Sequence, residues 1–85
     1  MPEISRFYGI IVQMFFKDHD PPHFHIEYGE FKVVINLSNE VVKGLMPKRA
    51  LNLVFEWMDI HKNEIMENWE LAQKGKPLNK IEPLK

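Results

Sequence analysis

Apolar residues run with little interruption through Tyr8-Gly9-Ile10-Ile11-Val12-Gln13-Met14-Phe15-Phe16-Lys17. A stretch so rich in β-branched and aromatic residues, apolar on both faces, predicts a long central strand. Asp18 to Pro22 cannot continue it, because the double proline lacks N–H donors and holds its neighbours extended, so a rigid connection is expected there. Alternation then becomes clean in His23-Phe24-His25-Ile26-Glu27-Tyr28. On a strand, Phe24, Ile26 and Tyr28 share one face while His23, His25 and Glu27 share the other. Gly29-Glu30 predicts a hairpin into a strand over 31–37, with Phe31, Val33, Ile35 and Leu37 on one face. Ser38-Asn39-Glu40 reads as a turn, and Val41-Val42-Lys43 as a short edge strand that Gly44 ends.

Downstream the period changes from two to between three and four. Pro47 suits the first position of a helix and Gly75 the position just past its end, with one long helix, or two that nearly join, between them. Leu51, Val54, Phe55, Met58, Ile65, Trp69 and Ala72 form a continuous apolar face. A second flank of Leu53, Trp57, Ile60 and Leu71 makes the stripe wider than one sheet contact requires, which points to a partner surface, either a homo-oligomer or a tight heteromer. The tail after Gly75 spaces Leu78, Ile81 and Leu84 among prolines and charges, and is expected to dock on the sheet or on a neighbouring chain. The expected architecture is α+β, a single domain over 1–85. Its small antiparallel sheet of three or four strands packs one face on the long C-terminal helix, carries the histidines on the other, and is followed by an extended tail.

Composition narrows the function classes. A hydrophobic share of 45% against 27% charged residues is that of a folded chain. With no cysteine, neither disulfides nor a thiolate zinc site can staple it, and a cytoplasmic location is expected. The first residues lack the basic-then-apolar layout of a signal peptide, and no apolar run approaches the ~20 residues of a membrane span. A formal net charge of −1, with Arg6, Lys17, Lys74, Lys76, Lys80 and Lys85 scattered, does not favour nucleic-acid binding, which draws its affinity from clustered cations.

Candidate chemistry concentrates in His19-Asp20-Pro21-Pro22-His23-Phe24-His25. Imidazole titrates near neutral pH and is the commonest transition-metal ligand. One reading has His19, His23 and His25 bind a divalent transition metal, with Glu27 or water completing the shell. A second has one of these histidines act as general acid or base beside Arg6, Lys17 or Tyr8, an arrangement suited to cleaving a phosphodiester, as in a small ribonuclease. A third assigns His19, Asp20 and His23 to local hydrogen bonds that fix the Pro-Pro turn, leaving His25 an ordinary exposed residue. His61, among Val54, Met58 and Ile65, is expected to be a partly buried, hydrogen-bonded residue on the helix face.

The set formed by Ile4-Ser5-Arg6-Phe7-Tyr8-Gly9, the His19 to His25 segment, Tyr28-Gly29-Glu30, Glu56-Trp57, Asn68-Trp69-Glu70 and the segment from Pro77 to Leu84 resembles the small bacterial proteins of the domain of unknown function 4160 family. That resemblance supplies no catalytic residues. It implies a protein-binding component of a two-gene, toxin–antitoxin-like module whose small protein partner is encoded nearby.

Overall fold

The structure is a computed structural model that describes residues 3–40 and 42–85. Five antiparallel strands lie side by side in chain order: β1 (Glu3–Phe7), β2 (Ile10–Gln13), β3 (His23–Tyr28), β4 (Phe31–Asn36) and β5 (Val42–Lys43), followed by one helix, α1 (Lys48–Gln73). The α+β class holds, with five strands in place of three or four.

The difference lies at the N-terminus. The apolar run from Tyr8 to Lys17 is not one strand. Tyr8 and Gly9 both have positive φ, 49° and 80°, and form a two-residue turn between the paired Phe7 and Ile10. Positive φ at both central positions is the type I′ geometry that matches the twist of a hairpin. A tyrosine in the first of those positions hides the usual Asn-Gly signature. β2 then ends at Gln13. The predicted hairpin at Gly29-Glu30 is present, between the paired Tyr28 and Phe31. β5 falls where expected at Val42 and Lys43, while Val41 lies outside the described residues.

One face of the sheet meets α1. Ile10, Val12, Phe24, Ile26, Val33 and Ile35 are buried there, and the Trp57 ring lies 5.5 Å from Phe7 and 6.0 Å from Phe24 between centroids. Pro47 is the N-cap residue of α1, and the helix continues through a local break at His61 (φ −114°, ψ 24°). Its end is a Schellman motif. Lys76 N–H reaches the Leu71 carbonyl at 2.9 Å and Gly75 N–H reaches Ala72 at 3.1 Å, with Gly75 at φ 69°. His61 is mostly buried and bonded to Glu64 at 2.7 Å, as its surroundings in the sequence imply.

The tail docks on its own chain. Ile81 N–H donates to the Ile4 carbonyl at 2.8 Å and Ser5 Oγ donates to the Ile81 carbonyl at 3.0 Å, which covers part of the free edge of β1. Trp57 Nε1 donates to the Glu82 carbonyl at 2.9 Å. Much of the second apolar flank is thereby used internally: Trp57 is fully buried and Leu53 and Leu71 partly so, while Ile60 stays exposed. Among the described residues no helix is long and apolar enough to cross a membrane.

Candidate metal centre

The face of the sheet away from α1 forms a grid set by register. His25 pairs with Val34, which pairs with Lys43, and His23 pairs with Asn36 in the next row on that face. The loop from Met14 to Pro22 folds over one end of this grid. It is tied down by Lys17 N–H to the Ala72 carbonyl (3.0 Å), Gln73 Nε2 to the Asp18 carbonyl (2.9 Å) and Leu37 N–H to the Pro22 carbonyl (2.9 Å). The Asp20-Pro21 peptide is cis. With its main chain held by Gln73, Asp18 turns its carboxylate onto the histidines. The result is a cleft of about 430 Å³ lined by Asp18, His19, His23, His25, Asn36 and Lys43, together with Pro21, Val34 and Asn39.

His23 is the buried anchor. Its Nδ1 lies 2.8 Å from the Pro21 carbonyl, which can only accept, so Nδ1 carries the proton and donates. Nε2 lies 2.8 Å from Asp18 Oδ2. With Nδ1 already protonated, a neutral ring would face that carboxylate with a lone pair. At 2.8 Å the contact is favourable with a proton between the two atoms, and a metal ion could take that proton's place only if the atoms moved apart to about 3.4 Å. The same oxygen is 3.5 Å from His25 Nε2, and that nitrogen is buried and has no hydrogen-bond partner among the described residues. Phe15 packs edge-on against His25 at 4.4 Å between centroids and Trp69 backs His23 at 5.3 Å, which restricts both rings.

Electrostatics point the same way. Burial pushes the His25 imidazole below the usual histidine range; attraction to the Asp18 carboxylate 3.5 Å away opposes this, and the charge of His23 adds to it. Burial works to raise Asp18, but the His19 backbone N–H, at 2.9 Å, and His23 outweigh it and keep the carboxyl below its ordinary value. A neutral His25 and an ionised Asp18 are the forms that bind metals.

Asp18, His23 and His25 can each offer one ligand atom, all within 4.8 Å of one another. Zinc-type ions hold His nitrogen and carboxylate oxygen at about 2.0–2.2 Å, which in a tetrahedral shell sets the ligand atoms about 3.4 Å apart, so sharing one ion requires the widest pair to close by about 1 Å and the His23–Asp18 pair to open slightly. Of the sequence candidates, His23 and His25 lie side by side, with ring centroids 5.3 Å apart. His19 lines the mouth with its side chain largely exposed, its Nδ1 3.1 Å from Asp18 Oδ1. Arg6 is not brought to the cleft: it is an exposed residue of β1, paired with Glu3 at 2.7 Å. Tyr8 and Lys17 do not line it either. Glu27 continues the strand row and does not line the cleft; it lines an adjoining groove with Gln13, Phe15 and Lys32 that meets the cleft at His25 and Val34. The carboxylate at the histidines is Asp18, and the cation at the cleft is Lys43. Asp20, read from the sequence as the acidic member of the turn, is exposed. Asp18 precedes His23 by five residues, too far for strand periodicity to couple them. Only a loop that doubles back brings the two together.

A family profile described as Domain of unknown function (DUF4160) matches residues 9–70, well over half of the chain. The chain belongs to that family. The match spans the DUF4160 segment that holds Asp18, His23, His25 and Lys43 and ends before the docked tail. No curated protein and no solved structure matches the chain.

Proposed function

We propose that this DUF4160 protein binds a divalent transition-metal ion through Asp18, His23 and His25. The observation that carries this is the buried, unpartnered Nε2 of His25, converging with His23 Nε2 on one carboxylate oxygen. Leaving such a nitrogen unsatisfied costs stability, about 1–3 kcal/mol, which a bound ion would recover. His23 Nδ1 donates to a backbone carbonyl, the outer bond that orients metal-ligating histidines. Two imidazoles and a carboxylate suit zinc, nickel or copper. Three protein ligands beside an open cleft leave a coordination position for water or substrate, as in catalytic rather than structural ions.

Titrating zinc and nickel into chelator-stripped protein tests this. One-to-one binding is expected, weakened at least about tenfold by Asp18→Asn and by His25→Ala and little changed by His19→Ala. Binding that is indifferent to Asp18→Asn and His25→Ala would overturn it.

The family resemblance supports a second role, as the protein-binding half of a cytoplasmic two-gene, toxin–antitoxin-like module. Leu45 is 83% exposed next to β5, and the two-residue β5 leaves part of β4 open to strand addition. Co-expression with the neighbouring gene product should give a complex that Leu45→Glu weakens. Separate elution of the two proteins would count against it.

A further inference from the structure

We propose that the cleft takes a small phosphate ester of mononucleotide size, its phosphate bridging the metal ion and Lys43. This rests on the metal reading above and adds the class of ligand. The first ground is register. His25, Val34 and Lys43 occupy one row across three strands, so the lysine Cα stands two strand spacings, about 10 Å, from that of His25 on the same face. A lysine side chain covers much of that distance, and a phosphate group can fill the remainder.

The second ground is charge. Among the described residues no carboxylate pairs with Lys43, a condition it shares with most of the chain's lysines; what sets it apart is that it lines the cleft. Lys43 thus offers an uncommitted cation to whatever enters the cleft it lines. The opposite wall carries the Asp18 carboxylate, which repels phosphate until an ion neutralises it. Metal and Lys43 would then present positive charge from both sides, the clamp that phosphoryl groups require. Phosphate binding in this cleft therefore depends on the metal.

The third ground is size. About 430 Å³ is within the range of small-molecule sites and accommodates a mononucleotide, with Pro21 and Val34 offering apolar surface to its organic part. A long nucleic acid is disfavoured, since the chain has a net charge of −1 and few cations near the cleft to release counterions.

A lysine on an edge strand also serves to block edge-to-edge pairing, a role that requires no ligand. The test separates the two. Zinc-loaded protein, its zinc content measured first, is titrated with AMP and with inorganic phosphate. AMP should bind wild type and Lys43→Arg alike, and bind Lys43→Ala and metal-stripped protein about tenfold more weakly or worse. Lys32→Ala, on the same face outside the cleft, should leave affinity unchanged. Protein that retains zinc but binds AMP no better than Lys43→Ala overturns this proposal and leaves the metal centre standing. Failure to hold zinc overturns both. Inorganic phosphate binding as tightly as AMP would reject the ester in favour of the bare anion.

Discussion

Among the described residues, the polar cluster at Asn68 and the one at Asp18 differ in how completely they are satisfied. Asn68, fully buried on α1, donates Nδ2 to the Asn79 carbonyl at 2.8 Å and accepts the Asn79 N–H at 2.9 Å. Its amide replaces the strand or helix partner that the tail backbone lacks. Around Asp18, by contrast, two imidazole nitrogens converge on one oxygen, and one of them has no hydrogen bond. A closed set of hydrogen bonds is architecture: it fixes where the tail lies. An open set costs free energy in the isolated protein, and its geometry fits something that is added.

Breaking the closed cluster should produce the largest effect. Asn68→Ala leaves the Asn79 N–H and carbonyl without their partner and should cost about 2–4 kcal/mol, a large part of the stability of a domain this size. Denaturant melts would measure the loss, and amide exchange at Ile81 would show the tail loosening from β1. Metal affinity should not change. A similar loss of metal binding would mean that the two clusters are not independent.

His25→Ala is expected to behave in the opposite way. It removes an unsatisfied nitrogen from a partly exposed side chain, so the metal-free protein should lose less than about 1 kcal/mol while metal binding falls at least about tenfold. Unfolding caused by His25→Ala would make the ring a packing element and remove the contrast with Asn68.

These two clusters were unequally legible in the sequence. Strict alternation over residues 23–28 assigns Phe24 and Ile26 to the core and the histidines to the other face, because a strand has a period of two and only one register buries the apolar set. The ends of the helix were nearly as plain in Pro47, which caps it one position ahead of where it was expected, and in Gly75, which follows the C-cap Lys74. Asp18 was not legible, since its approach depends on a loop held by Lys17, Gln73 and Leu37, contacts of high sequence separation with no local pattern. Arg6 looked available as a cation because its partner, Glu3, sits on a strand hidden by an unusual Tyr8-Gly9 turn. The flank with Trp57 looked surplus because the tail that covers it is too irregular to show a period.

The smallest effect is the dependence of the metal-free protein on pH. The groups facing His25 are Asp18 and His23, and burial holds the His25 pKa below its unfolded value. The unfolded chain therefore takes up the proton first. Stability is unaffected above pH ~6.5 and declines as pH falls from there toward the lower folded value. Asp18 has the same sign in a more acidic window, its contribution fading as pH falls below the ordinary carboxylate range. Melts across pH 5–8 should show the first decline in wild type and a shallower one in His25→Ala. Equal slopes would place the proton uptake elsewhere.

The central claim is that Asp18, His23 and His25 share a metal ion, and the histidine ring nitrogens report on it individually. In ¹⁵N spectra recorded at neutral pH before and after one equivalent of zinc, the Nε2 signals of His23 and His25 should move together to the metal-bound position and saturate at that equivalent. His61, bonded to Glu64 on α1, should not move. Signals of His23 and His25 that stay in place, or a response led by the exposed His19 without saturation, would contradict the account.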